Sequence, residues 1–193
     1  MIKARKYVII TTIFIILTIP MYFGVYLEYF NIRDLDWLII VIAVSGFFIL
    51  LILDKILVIF VYNRKMIEDI GKNDVIKAFI DGNSKEIIWF YFPIIIITEE
   101  LIFRYYTIGF FDYRLELEPV VAIFLSSFFF SKYHIHIWFR YKNLIFLLVN
   151  LGYPFLLGLY TGYIFLHIGI IPCILIHFFL ALYAYYSIYR QYF

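Results

Sequence analysis

The chain has 193 residues, of which 65% are hydrophobic and 23% aromatic, and its mean hydropathy is +0.95. Soluble domains are about 45–50% apolar, so this composition excludes a water-soluble globular protein and implies an integral membrane protein. The net charge of +2 is too small to suggest nucleic acid as a partner. The single cysteine, Cys173, excludes an intrachain disulfide and a multi-cysteine metal site and reads as a buried, inert thiol.

A membrane-crossing helix needs about 20 predominantly apolar residues. In chain order, six segments reach that length: 7–27, 37–62, 87–111, 119–138, 143–166 and 170–189. They predict an all-α, polytopic membrane protein with about six transmembrane helices in one bundle, a single domain spanning 1–193. The first segment follows Lys3, Arg5 and Lys6 and ends in Glu28-Tyr29-Phe30 with no small-residue cleavage site, so it is expected to stay attached as a helix. The second carries Asp54-Lys55 near its inner end, where adjacent opposite charges are expected to pair or to snorkel.

Between the second and third segments, Met66, Ile67, Ile70, Val75, Ile76, Phe79 and Ile80 sit among charged residues, and Asp81-Gly82-Asn83 reads as a stop. The pattern predicts an amphipathic helix over 65–82 lying on the inner membrane surface, either a gate over a site or a plain linker. Lys and Arg residues number three at the N-terminus, one in 28–36 (Arg33, beside Asp34), five in 63–86, one in 112–118, three in 132–142 including Arg140, and none in 167–169. This alternation, with Arg190 at the C-terminus, predicts both termini inside.

The third segment contains Glu99, Glu100 and Arg104. Charge at bilayer depth costs about 2.5–3.5 kcal/mol per residue on insertion scales, which makes such residues functional candidates. Glu100 and Arg104 are four residues apart, the spacing of a same-face ion pair on a helix, with Glu in the better N-terminal position. Glu99 points about 100° away and needs a partner from another helix or water. Of the four histidines, His134 lies at a matching depth, both it and Glu99 being roughly 18–22 Å from the outer end of their helices. His136 falls about 200° round the helix from His134, so the two are not expected to face one site. His167 reads as outer-loop surface, and His177 reads as shallower than Glu99 unless the outer end of the last helix dips inward.

A carboxylate and an imidazole converging in a membrane cavity suit water activation: the carboxylate takes a proton, and a histidine orients the water or donates to a developing oxyanion. Glu99, His134 and His177 could also supply three ligands to a divalent metal such as zinc, but His-Glu-x-x-His is absent, and metal-free chemistry is favoured. The competing structural reading has Glu99 in an interhelical hydrogen bond with Tyr or Ser.

These residues resemble the CPBP family of intramembrane proteases, which includes the type II CAAX prenyl endopeptidases and the bacteriocin-processing and self-immunity (Abi) proteins. Glu-Glu-x-x-x-Arg is matched by Glu99, Glu100 and Arg104, and Phe-x-x-x-His by Phe130 and His134. In His-x-x-x-Asn/Asp only His177 matches, with Ala181 in place of the amide or carboxylate. The resemblance covers about residues 86–190. It implies Glu99 and His134 as water activators, His177 as an oxyanion stabiliser, and Glu100 and Arg104 as residues that shape the site. Asn150, in the fifth segment, is the candidate to replace the missing amide. Tyr105 stands where the family usually has Gly, which implies looser helix packing there.

The expected function is intramembrane hydrolysis of a peptide bond near the bilayer, with a membrane-associated peptide or protein as substrate. The Ile- and Lys-rich composition suggests a prokaryotic cell membrane, which makes a prenylated substrate less expected. The alternatives are a catalytically degenerate membrane scaffold, bacteriocin-immunity or secretion accessory protein, motivated by Ala181, and a small-ion or proton transporter. Against the transporter stand a single convincing intramembrane carboxylate helix and no inverted repeat.

Overall fold

Long runs of Ile, Leu, Phe and Val without water to bond their backbone groups leave the helix as the economical conformation, and the chain is helical almost throughout. The computed structural model describes residues 2–32, 35–81 and 85–193, without the side chains of residues 2–4, Asp81 and Arg140. Arg33, Asp34, Gly82 and Asn83, which entered the charge and stop readings, lie outside the described residues, as do the side chains of Lys3 and Arg140. Among the described residues there is no strand.

Helix α1 (Ile2–Tyr22) leads through a short 3₁₀ turn, Leu27–Phe30, to α2 (Trp37–Ile56). The Asp36 carboxylate caps α2, accepting from the Ile39 N–H at 2.8 Å, and the helix runs on as a π turn, Leu57–Val61. Two short helices follow, α3 (Arg64–Ile70) and α4 (Asp74–Asp81). The chain is then helical from Ile87 to Tyr113 but changes winding: π over Ile87–Tyr91, α5 (Phe92–Glu100), π over Leu101–Ile108, and α6 (Gly109–Tyr113). Helices α7 (Pro119–Tyr133), α8 (His136–Tyr141), α9 (Leu144–Ile168) and α10 (Ile170–Tyr192) complete the bundle.

Among the described residues five helical runs are long and apolar enough to cross a membrane: Arg5–Tyr22, Trp37–Val61, Pro119–Phe139, Leu144–Ile168 and Ile170–Tyr192. These match five of the six expected segments, and the sixth, 87–111, is the run whose winding changes. The outside is apolar, with Phe23, Phe60 and Val120 each more than three-quarters exposed, while Glu100, Arg104, Ser126, Thr161 and His177 are buried. That inverted pattern, polar within and greasy without, suits a lipid surround. The protein is an integral membrane protein of all-α, polytopic architecture.

The expected single amphipathic helix over 65–82 is two helices. Gly71 ends α3, and the Asn73 side chain starts α4 by accepting from the Val75 N–H at 2.9 Å. Their apolar faces pack on protein: Met66, Ile70 and Ile76 join Val58, Phe146 and Ile188, and Val75 joins Phe92 and Ile96. The pair therefore caps one end of the bundle. Lys6 reaches Asp74 at 3.1 Å and Phe79 stacks on Tyr189 at 5.6 Å, so both chain termini lie at that same end.

At the opposite end, α9 and α10 turn at Gly169 alone, with φ +101, a region strained for side-chain-bearing residues. A Cβ there would stand 2.8 Å from the Tyr29 carbonyl oxygen. The corner is covered by the turn carrying Tyr29, and Tyr29, Ile164, Phe165 and Ile170 are all buried beneath it. In mid-bundle Gly46 of α2 lets Tyr160 of α9 pack directly on its backbone, an added Cβ meeting that ring at 2.5 Å, and the Tyr160 hydroxyl donates to the Ala43 carbonyl at 2.5 Å.

The Leu101–Ile108 segment is not loosely packed. Tyr105 is fully buried against Tyr26, Tyr29 and Phe30, and its hydroxyl donates to the Val25 carbonyl at 2.5 Å. Tyr106 donates to the Leu17 carbonyl, so the two phenols tie this segment to the first helix and the turn after it. The looser packing expected from Tyr105 is not found, because the ring is housed by the aromatic turn 26–30.

Candidate active site

Glu99 and Glu100 close α5 where the winding widens. In the π segment the backbone bonds run from i to i+5 instead of i to i+4, and two hydroxyls donate to its carbonyls: Thr107 to Ile102 at 2.7 Å and Ser126, from α7, to Phe103. Arg104 lies within this segment, yet its Nε still reaches Glu100 Oε2 at 3.3 Å, with both side chains fully buried. The expected Glu100–Arg104 pair is present.

The pair is part of a larger network. His177 of α10 sits with Nδ1 at 2.6 Å from Glu100 Oε1, and the Cys173 thiol donates to Glu100 Oε2 at 2.8 Å. Arg104 donates to the Thr161 hydroxyl through Nε at 3.0 Å and Nη2 at 2.6 Å, and its Nη1 has no hydrogen-bond partner among the described residues. Phe130 lies over the guanidinium, centroid to Cζ 4.3 Å, and meets His177 edge-on at 5.7 Å and His134 at 5.1 Å. Phe130 thus touches a member of each of the other motif elements.

Glu99 is set apart from this network. Its side chain keeps 14% exposure, it lines a cavity of about 390 Å³, and its Oε2 is 4.0 Å from His177 Nε2. That gap exceeds a direct hydrogen bond. His177 therefore spans the two carboxylates, bonded to Glu100 through one ring nitrogen and facing Glu99 with the other. His177 thus stands beside Glu99 although counting residues along its helix makes it shallower; the α9–α10 corner that precedes it is buried under the Tyr29 turn.

His134 lines the same cavity, and among the described residues no hydrogen bond or ion pair joins it to Glu99. It occupies the C-cap of α7, and its Nδ1 is 3.0 Å from the Phe130 carbonyl oxygen. Facing a carbonyl, Nδ1 is the protonated nitrogen, which leaves Nε2 with its lone pair. The helix expected over 119–138 breaks here into α7 and α8, so the 200° separation from His136 does not hold. Both histidines line the cavity, their rings 6.2 Å apart, with His136 on the exposed side. His167 is also displaced from its expected place: it lies in the last turn of α9, half-buried, with its ring 4.4 Å from Tyr163.

Ala181, one turn beyond His177, lines the cavity with a methyl group where the family motif carries a polar side chain. Asn150 lines it too, but its amide nitrogen donates to the Phe146 carbonyl of its own helix at 2.8 Å. Among the described residues no three His, Cys, Asp or Glu side chains stand together as a metal-ligand group.

Sequence reasoning missed three participants. Cys173 is not inert packing but a donor to Glu100, and its spacing of four from His177 was the available signal. Thr161 carried no comparable signal. Asp54 neither pairs with Lys55 nor snorkels: it is buried and lines the cavity, while Lys55 turns outward to Gln191 at 3.5 Å.

A family model described as Type II CAAX prenyl endopeptidase Rce1-like matches residues 84–183. That stretch runs from just before the π turn at Ile87 to two residues past Ala181 and contains all three motif elements. No curated protein and no solved structure matches the chain.

Proposed function

The chain belongs to the Type II CAAX prenyl endopeptidase Rce1-like family, and on that premise we propose that it is an intramembrane endopeptidase that hydrolyses a peptide bond near the bilayer with water activated by Glu99. The observation that carries this reading is the position of His177, 2.6 Å from Glu100 and 4.0 Å from Glu99. The wider of these gaps has the span of a water-bridged contact. A water held there loses a proton to Glu99 as it attacks the carbonyl carbon. His177, held by Glu100 through Nδ1–H, presents Nε2 to the reacting group and in its charged form donates to the developing oxyanion. His134, with Nδ1 engaged by the Phe130 carbonyl, offers Nε2 as a second proton acceptor on the same cavity. Arg104 pairs with Glu100 without entering the chemistry. The substrate is a membrane-embedded peptide or protein segment, and the end of the bundle that holds both termini faces the cytoplasm, in line with its basic residues.

The test is cleavage of a membrane peptide by the purified protein in vesicles, with Glu99→Gln as the comparison. Loss of about 10²–10⁴ in rate is expected from removing a general base; undiminished cleavage by Glu99→Gln rejects the mechanism.

Ala181 favours a second reading, a family member that has lost catalysis and acts as a membrane scaffold or an immunity or secretion accessory. Under it, Glu99→Gln leaves the cellular phenotype intact.

A further inference from the structure

A second polar pair faces the cavity, away from the glutamate–histidine network. Asp54 is 5% exposed, and its Oδ2 has no hydrogen-bond partner among the described residues. The Tyr153 hydroxyl, also buried, is likewise without one, so these two groups do not bond to each other. Both residues line the cavity. No Lys, Arg or His among the described residues forms an ion pair with Asp54; Lys6, the cation that also lines the cavity, is held by Asp74 at 3.1 Å.

The pair is built by the packing of α2 on α9. These helices run antiparallel and are joined where Tyr160 rests on Gly46. Asp54 lies eight residues beyond Gly46 and Tyr153 seven residues before Tyr160. At 1.5 Å per residue that is about 12 and about 11 Å toward the same end of the bundle, so the two oxygens stand at one level on facing helices.

A buried carboxylate oxygen without an ion-pair or hydrogen-bond partner is expensive, and natural structures rarely keep one without use. We propose that Asp54 and Tyr153 form a subsite that takes a cationic side chain, a lysine or arginine, of the peptide substrate. The ammonium or guanidinium donates to Asp54 Oδ2 and to the Tyr153 oxygen, satisfying both orphaned groups at once. The subsite rests on the reading of this cavity as the substrate site and adds a specificity to it: a basic residue set apart from the scissile bond by the distance from Asp54 to Glu99.

The test is binding rather than turnover. Apolar peptides of about 20 residues, each with a single lysine at a scanned position or norleucine in its place, are titrated against the Glu99→Gln protein in phosphatidylcholine vesicles, which carry no primary amine and no net charge. At one or a few positions, lysine is expected to bind about 10- to 100-fold tighter than norleucine, the effect of a hydrogen bond to a charged group. Adding Asp54→Asn should abolish that preference and leave norleucine peptides bound as before, which also shows that the variant folds. Tyr153→Phe should weaken the preference in part. Equal binding of lysine and norleucine peptides at every position, or a preference that survives both substitutions, overturns the subsite. Mass spectrometry of the same samples shows separately whether Glu99→Gln still cleaves, so failure of the hydrolytic mechanism is told apart from failure of the subsite.

Discussion

Glu100 holds His177 through a 2.6 Å contact between Oε1 and Nδ1, and its other oxygen takes Arg104 and Cys173. The two adjacent glutamates therefore divide their work. Glu100 is buried and fully engaged; Glu99 lines the cavity, with the far nitrogen of His177 at 4.0 Å.

Removing Glu100 strands a buried guanidinium. Glu100→Ala should destabilise the fold by about 3–5 kcal/mol, as breaking one side of a buried ion pair does. Adding Arg104→Met should restore part of that loss by removing the uncompensated charge. Thermal denaturation of the single and double variants in detergent gives the comparison. A double variant no more stable than Glu100→Ala would show that Arg104 is satisfied without its partner.

Phe130 is 1% exposed and joins Arg104, His177 and His134 through one ring. Phe130→Leu keeps an apolar filling but loses the ring face over the guanidinium, an interaction of about 0.5–2 kcal/mol. A modest loss of stability with a larger loss of cleavage is expected, because both histidines lose the edge they rest on. Denaturation midpoints and cleavage rates measured on one preparation separate the two effects.

Ala181→Asn places an amide on the cavity wall one turn from His177. Cleavage should rise at least about tenfold, toward the 10²–10³ that one oxyanion donor contributes in serine proteases. An unchanged rate would mean that the amide does not reach the reacting carbonyl in this cavity.

Gly169→Ala tests the α9–α10 corner. The substitution meets both a φ of +101 and the Tyr29 carbonyl oxygen at 2.8 Å, and should cost about 1–3 kcal/mol from backbone strain alone. The corner opens the helix that carries His177, so activity should fall along with stability. Gly152→Ala, with nothing within 4 Å of the added Cβ, is the control and should change neither.

The helices were readable because uninterrupted apolar length is a local property, and so was the Glu100–Arg104 pair, which depends only on four-residue spacing. What could not be read depended on places where regular winding stops. The break after Tyr133 brings His134 and His136 to one cavity although an unbroken helix would set them apart. The approach of His177 to both glutamates is likewise not given by counting residues from the end of its segment. The amphipathic pattern over 65–82 shows a helical stretch with one apolar face, but Gly71 and Asn73 divide it into two helices and that face packs on protein rather than on a membrane surface. Asp54 was misjudged because its neighbour Lys55 offered a local partner, whereas burial is decided by which helix face meets α9.

The contact of Tyr160 on Gly46 has one more consequence. By bolting α2 to α9 about two turns from both Asp54 and Tyr153, it makes the separation of those oxygens a dimension of the scaffold rather than something an incoming group can adjust. A pair of fixed jaws measures what is placed between them, so the cavity would sort peptides by the girth of the group they offer as well as by its charge.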